Sequence, residues 1–445
     1  MLERIGHFAH ESSGIHRMHI AIIGTGISGM VAAALLHPQH QITVYEANNY
    51  IGGHTHTVDV ELRGIPYAID TGFIVCNDWT YPAFLGLMRE LGVPLQPTEM
   101  GFSVRCDQTG IEYNGSSLSG LFTQRSNLLS PRFYRFVADV LRFNREAPGH
   151  LAETSEETTV GDYLRTHHYS RQFMDWYLIP MGAAIWSCPT GTFEQFPMRF
   201  IIEFYKNHGL LQIFNRPQWR VVQGGSREYV KKLTAPYLDR IQLNCPVQKV
   251  TRTDDGVAVR HAQGTNIFDE VIFACHSDQA LRMLADATTV EREVLTEFPY
   301  SKNVALLHTD TRVLPSKPRA WASWNYHVRA DRPEQSTLTY HMNILQGIKS
   351  PAQFLVTLNE EDAIDPACVL GRYLYDHPIF TTRRAAAQRR HGELIRQQRT
   401  SYCGAYWGNG FHEDGVVSAL AVCERFGVVP SWSPRSAKVG EFAHA

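Results

Sequence analysis

The run His19-Ile20-Ala21-Ile22-Ile23-Gly24-Thr25-Gly26-Ile27-Ser28-Gly29-Met30 decides the fold of this 445-residue chain. Residues 20–23 are apolar and read as a buried strand that stops at Gly24. Residues 31–36 are small or aliphatic and read as the helix that follows. Between them lies G-x-G-x-x-G, in which each glycine has its own task. Gly24 makes the turn, Gly26 lets a pyrophosphate reach the backbone, and Gly29 lets helix and strand approach closely. The helix start then offers free N–H groups and a partial positive charge to phosphates. Residues 41–45 read as the second strand. Glu46 ends it, 22 residues after Gly24, where a carboxylate accepts hydrogen bonds from an adenosine ribose.

Composition bounds the rest. The length suits two domains with a large core, and a formal net charge of −2 gives no sign of a general nucleic-acid binder. The 8 cysteines form no C-x-x-C pair, which reads as reduced, mostly buried thiols in a cytoplasmic protein. No metal-ligand spacing stands out. No apolar run of about 18 residues exists, so no membrane-spanning helix is expected. Residues 1–17 are polar and read as a disordered extension rather than a secretory signal.

Past Glu46, the doublet Gly52-Gly53 lets backbone run close beside a bound ligand. Residues 58–62 and 67–70 read as a hairpin, and Asp70-Thr71-Gly72 as a tight turn after it. Residues 78–220 read as mostly helical and aromatic. Phe133, Phe136, Val137, Val140 and Leu141 share one helical face. Residues 176–187 read equally well as a buried helix pair or as the wall of an apolar tunnel. The aromatic stripe over 193–219, with Arg199, Lys206 and Arg216 interspersed, reads either as core with solvated edges or as a surface docking on anionic lipid. Ser226 is placed to cap a helix over 227–238. Residues 247–250, 257–259 and 267–274 read as strands, as do 304–308, 336–340 and 354–358. Near the end, a strand from Ser401 runs into the turn Cys403-Gly404, and Gly410-Phe411-His412-Glu413-Asp414-Gly415 opens a last helix.

The dinucleotide turn, the acid, the Gly-Gly doublet, the Asp-x-Gly turn and the Glu-Asp-Gly helix start, in that order, resemble the flavin-containing amine oxidoreductase superfamily. The resemblance implies an α/β architecture. A glutathione-reductase-type (Rossmann-like) FAD domain would come from residues 18–77, 221–285 and 396–430. A helical cap over 78–220 and a mixed α+β substrate-domain sheet over 286–395 complete it, with an extension over 1–17 and a tail over 431–445. It implies FAD, held without a covalent bond, by Gly24, Gly26, Ile27, Ser28, Gly29, Glu46, Ala47, Gly52, Gly53, His54, Thr55, Thr71, Gly72, Val247, Ala274, Trp407, Gly408, Glu413, Gly415 and Val416. The superfamily usually has Arg where this chain has His54, and an acid where it has Ala405.

GGHTHTVDV (52–60), PMGAAIWS (180–187), RPQWRVVQGGS (216–226), FACHSDQAL (273–281) and WASWNY (321–326) are similar to a narrower bacterial amine-oxidase-like branch. That branch is associated with fatty-acyl modification, some members resembling desaturases of methylated chains on the way to furan fatty acids. With no second G-x-G-x-x-G, the substrate itself should reduce the flavin. The leading expectation is a dehydrogenase (desaturase) of a hydrophobic molecule, above all a methylated phospholipid acyl chain. His341 and Tyr340 are the expected catalytic groups, with His276 and His412 as further bases. Trp186, Tyr177, Trp324, Tyr340 and His341 are the expected substrate pocket. A second reading is an amine oxidase with an aromatic cage from Trp324, Tyr326 or Trp407; a third is an electron-shuttling flavoprotein. The expected location is the cytoplasm, with peripheral contact on the inner membrane face if the 193–219 stripe docks on lipid.

Overall fold

Five parallel strands carry the glycine turn. In spatial order they are Ile241–Gln242, Gln41–Tyr45, His19–Ile23, Glu270–Phe273 and Thr400–Tyr402. One sheet therefore draws on three distant parts of the sequence. The computed structural model describes residues 17–332, 334–335 and 337–434. The extension and tail expected at the two ends lie almost wholly outside these residues. Helix Ile27–Leu36 follows the central strand and is buried along most of its length. It packs on the last helix, His412–Glu424, whose start the sequence marks with GFHEDG.

A second sheet has seven strands, in the order Val369–Pro378, Tyr300–His308, Leu355–Leu358, Leu338–His341, Trp324–Val328, Phe102–Cys106 and Ile111–Asn114. Its last two strands fall where the sequence reads as helical. Val104, Cys106, Ile111 and Tyr113 alternate onto one face and pack on Phe133, Phe136 and Trp176, so a period-2 pattern is hidden in an aromatic-rich region. The helical layer proper runs from Pro131–His150 to Met198–Asn207. Phe193, Phe196, Phe200, Phe204 and Tyr205 are all buried in it, and Arg199 pairs with Glu203 at 3.2 Å. Most of the 193–219 stripe is thus core. Only Ile213 and Phe214 show large apolar surface, at 58% and 84% exposure. Among the described residues no helix is long and apolar enough to cross a membrane.

Ser226 is not the helix cap that its position suggests. Its hydroxyl donates to Asp70 Oδ1 at 2.7 Å and its N–H to the same atom at 2.9 Å. Thr57 Oγ1 and Gln346 Nε2 also donate to this buried carboxylate. Asp70 thereby ties the first cofactor segment, the VVQGGS turn and the larger sheet together. Burial pushes its carboxyl up to about 6, against the pull of these donors.

One ion cluster sits inside the larger sheet. His327 Nδ1 lies 2.5 Å from Glu360 Oε1, and Nε2 lies 2.9 Å from Asp107 Oδ2. Burial favours the neutral ring, but the hydrogen bond and charge of Glu360, with Asp107, more than offset this and raise its pKa. A raised folded-state pKa adds stability that is fully present below the unfolded value and lost as pH rises through the folded one. His327→Gln should therefore lower the melting temperature most below about pH 6.5 and progressively less above it. Melting curves of both proteins across that range check this; a gap independent of pH would contradict it.

Candidate active site

The glycine turn is bare on the side a phosphate would approach. A Cβ built on Gly26 meets nothing within 4 Å, whereas one on Gly29 would overlap the Gly24 carbonyl oxygen. Gly24 has φ +108° and lies against the Ala274 carbonyl. Helix Ile27–Leu36 has no side-chain cap and no acid in its first turn, so its leading N–H groups are left for a ligand. The second strand brings Glu46 to this turn, where it accepts from Thr25 N at 3.0 Å and Asn48 N at 2.8 Å. The Thr25 hydroxyl also donates to the oxygen that Thr25 N reaches, so Oε1, with Asn48 N as its one donor, keeps a lone pair for a ribose hydroxyl. Gly53 packs on Gly26, Gly72 on the His54 carbonyl, and Gly415 on Ile27 and Ser28. Ser28 Oγ donates to the Gly415 carbonyl at 2.9 Å. These residues fit a dinucleotide whose phosphates lie at Gly26 and whose far end passes His54 toward the last helix.

That far end is a cavity of about 260 Å³. His54, His377 and His412 stand at one end of its wall, with Phe73 and Phe411; Tyr177, Met181, Ile185, Phe204, Trp324 and Tyr340 supply much of the rest. His54 has exposed surface, yet Tyr375 and His377 rings crowd it at 4.9 and 5.1 Å, so what it faces is the cavity. Burial pushes His54 down to about 4, and His377 and His412 well below the ordinary imidazole value. The wall therefore presents neutral imidazoles. His412 is held in place: its Nε2 meets Thr55 Oγ1 at 2.8 Å and Tyr229 Oη at 3.1 Å, and its ring stacks on Phe73 at 3.5 Å.

Arg216 is the one side chain of fixed charge in the cavity wall among the described residues. Its Nε donates to the Gln212 carbonyl at 2.6 Å, and its charge reaches the Tyr177 phenol, which burial pushes up to about 12. Carboxylates lie behind, in a second cavity of about 390 Å³ that shares Tyr81, His208 and Phe411 with the first. There Glu413 accepts from Ala83 N at 2.9 Å and Phe84 N at 2.8 Å, and Asp414 from Phe411 N at 2.9 Å. Burial pushes these acids up to about 7 and about 6. The Glu413 side chain thus holds the start of helix Pro82–Glu90.

The expected pocket residues divide. Tyr177, Trp324 and Tyr340 line the cavity. Trp186 does not; it is buried against Phe193, Phe200 and Phe204. His341 does not either. It follows Tyr340 on a strand, so its side chain points to the opposite face, beside Trp321. Burial raises the Tyr340 phenol far above the ordinary value, which keeps it protonated. Of the other expected bases, His276 stacks on Tyr300 at 4.3 Å. Trp407 stacks on His391 at 4.1 Å, on the turn with Gly408, and Val247 precedes strand Lys249–Thr253. Thr71 Oγ1 bonds Tyr375 Oη at 2.7 Å. His377, Phe411 and His208 also line the cavity; His377 is one histidine among 21, with no motif around it.

The model of the family described as flavin containing amine oxidoreductase matches residues 27–309. The chain belongs to that family. Membership implies FAD as the cofactor, and FAD is a dinucleotide that the glycine turn fits. A Mycobacterium tuberculosis protein named as a flavin-containing monoamine oxidase, AofH, is 26% identical over 255 residues, 55% of this chain and 54% of that protein. The pig flavin-containing amine oxidase A is 24% identical over 255 residues, 55% of this chain and 46% of its own. The chain spans about half the length of the curated relatives it matches. Among solved structures, a CLA-producing fatty acid isomerase from P. acnes superposes with TM-score 0.67 at 16% identity, covering 92% of this chain and 98% of that one. Wild-type putrescine oxidase bound to putrescine gives 0.65 at 14%, covering 93% and 99%. At these identities the likeness is one of fold.

The fit at the turn separates two glycines experimentally. Gly26→Ala should fold normally and lose FAD affinity by about tenfold or more, since only the ligand occupies that space. Gly29→Ala should instead lower apoprotein stability by about 1–3 kcal/mol, through overlap with the Gly24 backbone. Flavin absorbance per protein and apoprotein melting read the two effects. Equal FAD affinity in Gly26→Ala would contradict the placement.

Proposed function

We propose that the protein dehydrogenates the hydrocarbon chain of an amphiphile with an anionic head, with a methylated phospholipid acyl chain as the leading substrate. The observation that carries this reading is the charge of the cavity wall. Among the described residues it holds one cation, Arg216, and no carboxylate, while Glu413 and Asp414 accept from backbone N–H groups. An ammonium substrate would find no counter-charge there. An anionic head would find Arg216, with an apolar passage beyond it for the tail. The exposed Ile213 and Phe214 stand two or three positions from Arg216, on the segment where an acyl chain would enter.

The amine reading needs an aromatic cage from Trp324, Tyr326 or Trp407. Trp324 alone borders the cavity; Tyr326 is 1% exposed within the sheet, and Trp407 stacks on His391. The fold itself does not choose, because a fatty acid isomerase and amine oxidases share it. The resemblance of several segments to the acyl-modifying branch supports the methylated chain.

When bound, FAD would supply the two-electron acceptor for a hydride from one chain carbon, and a neutral imidazole of the wall, His54 or His412, would take the proton from the adjacent carbon as the C=C bond forms. The rest of the protein's part is positional. Met181, Ile185, Phe204 and Trp324 exclude water and hold the tail extended. Arg216 holds the anionic head and so adds to substrate affinity.

Anaerobic bleaching of the flavin tests this. Phospholipid carrying methylated acyl chains should bleach it, and so should the corresponding free acids if a carboxylate alone suffices at Arg216. Arg216→Gln should raise the half-saturating concentration about tenfold with little change in the limiting rate. Bleaching by primary amines or polyamines alone would overturn the proposal.

A further inference from the structure

His377 is the next-to-last residue of strand Val369–Pro378 and lines the cavity. Its tautomer is fixed by a chain of buried hydrogen bonds that begins at a backbone donor. The N–H of Val304 can only donate, and it does so to Asn359 Oδ1 at 3.0 Å. That sets the Asn359 amide, whose Nδ2 donates to Asn303 Oδ1 at 2.6 Å. The Asn303 amide is set in turn, and its Nδ2 donates to His377 Nδ1 at 2.9 Å and to the Ser301 carbonyl at 3.2 Å. His377 Nδ1 is therefore an acceptor, and the proton of the neutral ring sits on Nε2. Asn303 is 2% exposed, so water does not compete for this arrangement.

The other nitrogen has no hydrogen-bond partner among the described residues, and the ring borders the cavity beside His54. His54 follows Gly53, which packs on the phosphate-side glycine Gly26. His377 thus stands beside His54 on the cofactor side of the cavity.

We propose that His377, locked by Asn303 and Asn359, is a fixed Nε2–H donor aimed at the flavin end of the cavity, where it favours the electron-rich reduced ring. It acts as a donor and not as a base, because its acceptor nitrogen is already occupied. Burial and the nearby His54 and His276 keep the ring neutral, which agrees with that role. A donor at a flavin gains strength as the ring gains negative charge, so it raises the reduction potential.

The test is an equilibrium reduction of the FAD-loaded protein against a reference dye, with no organic substrate present. Its outcome is therefore independent of the substrate proposed above. His377→Leu should shift the oxidised-to-reduced ratio at a fixed dye poise about tenfold toward oxidised flavin. His377→Gln keeps an N–H donor and should restore most of that shift. Asn303→Ala keeps the ring but frees its tautomer, and should fall between. Flavin content and melting temperature verify that each variant is loaded and folded; should His377→Leu fail to load, the Gln and Asn303 variants carry the comparison. A wild-type ratio in His377→Leu, or an equal loss in His377→Gln, would overturn the proposed donor. A wild-type ratio in Asn303→Ala would overturn the lock.

Discussion

The structure depends on contacts that only glycine permits, where distant segments meet beside one helix start. Gly29 lies on the Gly24 carbonyl, Gly24 on the Ala274 carbonyl, Gly53 on Gly26, and Gly415 on Ile27 and Ser28. Those residues come from four parts of the chain. Any side chain at Gly29 would force apart the strand and helix that carry the turn. The bare face of Gly26 is what remains once the others have closed in. Close packing thus leaves a gap at Gly26 into which the phosphates of a dinucleotide would fit.

From that gap the chain builds outward in two chemical registers. Toward the turn, polar groups are spent: Glu46 on Thr25 and Asn48, Asp70 on Ser226 and Thr57, Glu413 on Ala83 and Phe84. Each carboxylate holds segments together, and none projects into the cavity. Toward the larger sheet, the wall is aromatic and aliphatic, with neutral imidazoles at one end and a single arginine in its lining. A buried unpaired charge is costly, and on this ground an anionic substrate is proposed over a cationic one.

What the sequence made legible follows from how local each signal is. The strand-turn-helix, Glu46 and the final helix are short-range patterns with one physical reading, and the parallel sheet holds them together. Strands Phe102–Cys106 and Ile111–Asn114 were missed because their alternation is brief and set among helical aromatics. Ser226 looks like a cap until Asp70, 156 residues away in sequence, claims its hydroxyl. His341 and Tyr340 are adjacent, and only the strand's register sends Tyr340 into the cavity and His341 away from it. His377 acquires meaning from Asn303 and Asn359, which no spacing rule connects to it. The cofactor motif was local, whereas the substrate wall is assembled almost entirely by long-range packing.

The central claim is that one cavity joins a cofactor end at His54, His377 and His412 to an anion-binding mouth at Arg216. A crystal structure of the FAD-loaded protein soaked with a long-chain carboxylic acid tests it most directly. The account predicts pyrophosphate against Gly26, the flavin ring beside the three histidines, and the acid's carboxylate on Arg216 with its tail running inward. A carboxylate bound away from Arg216, or a flavin ring distant from His54 and His377, would contradict it.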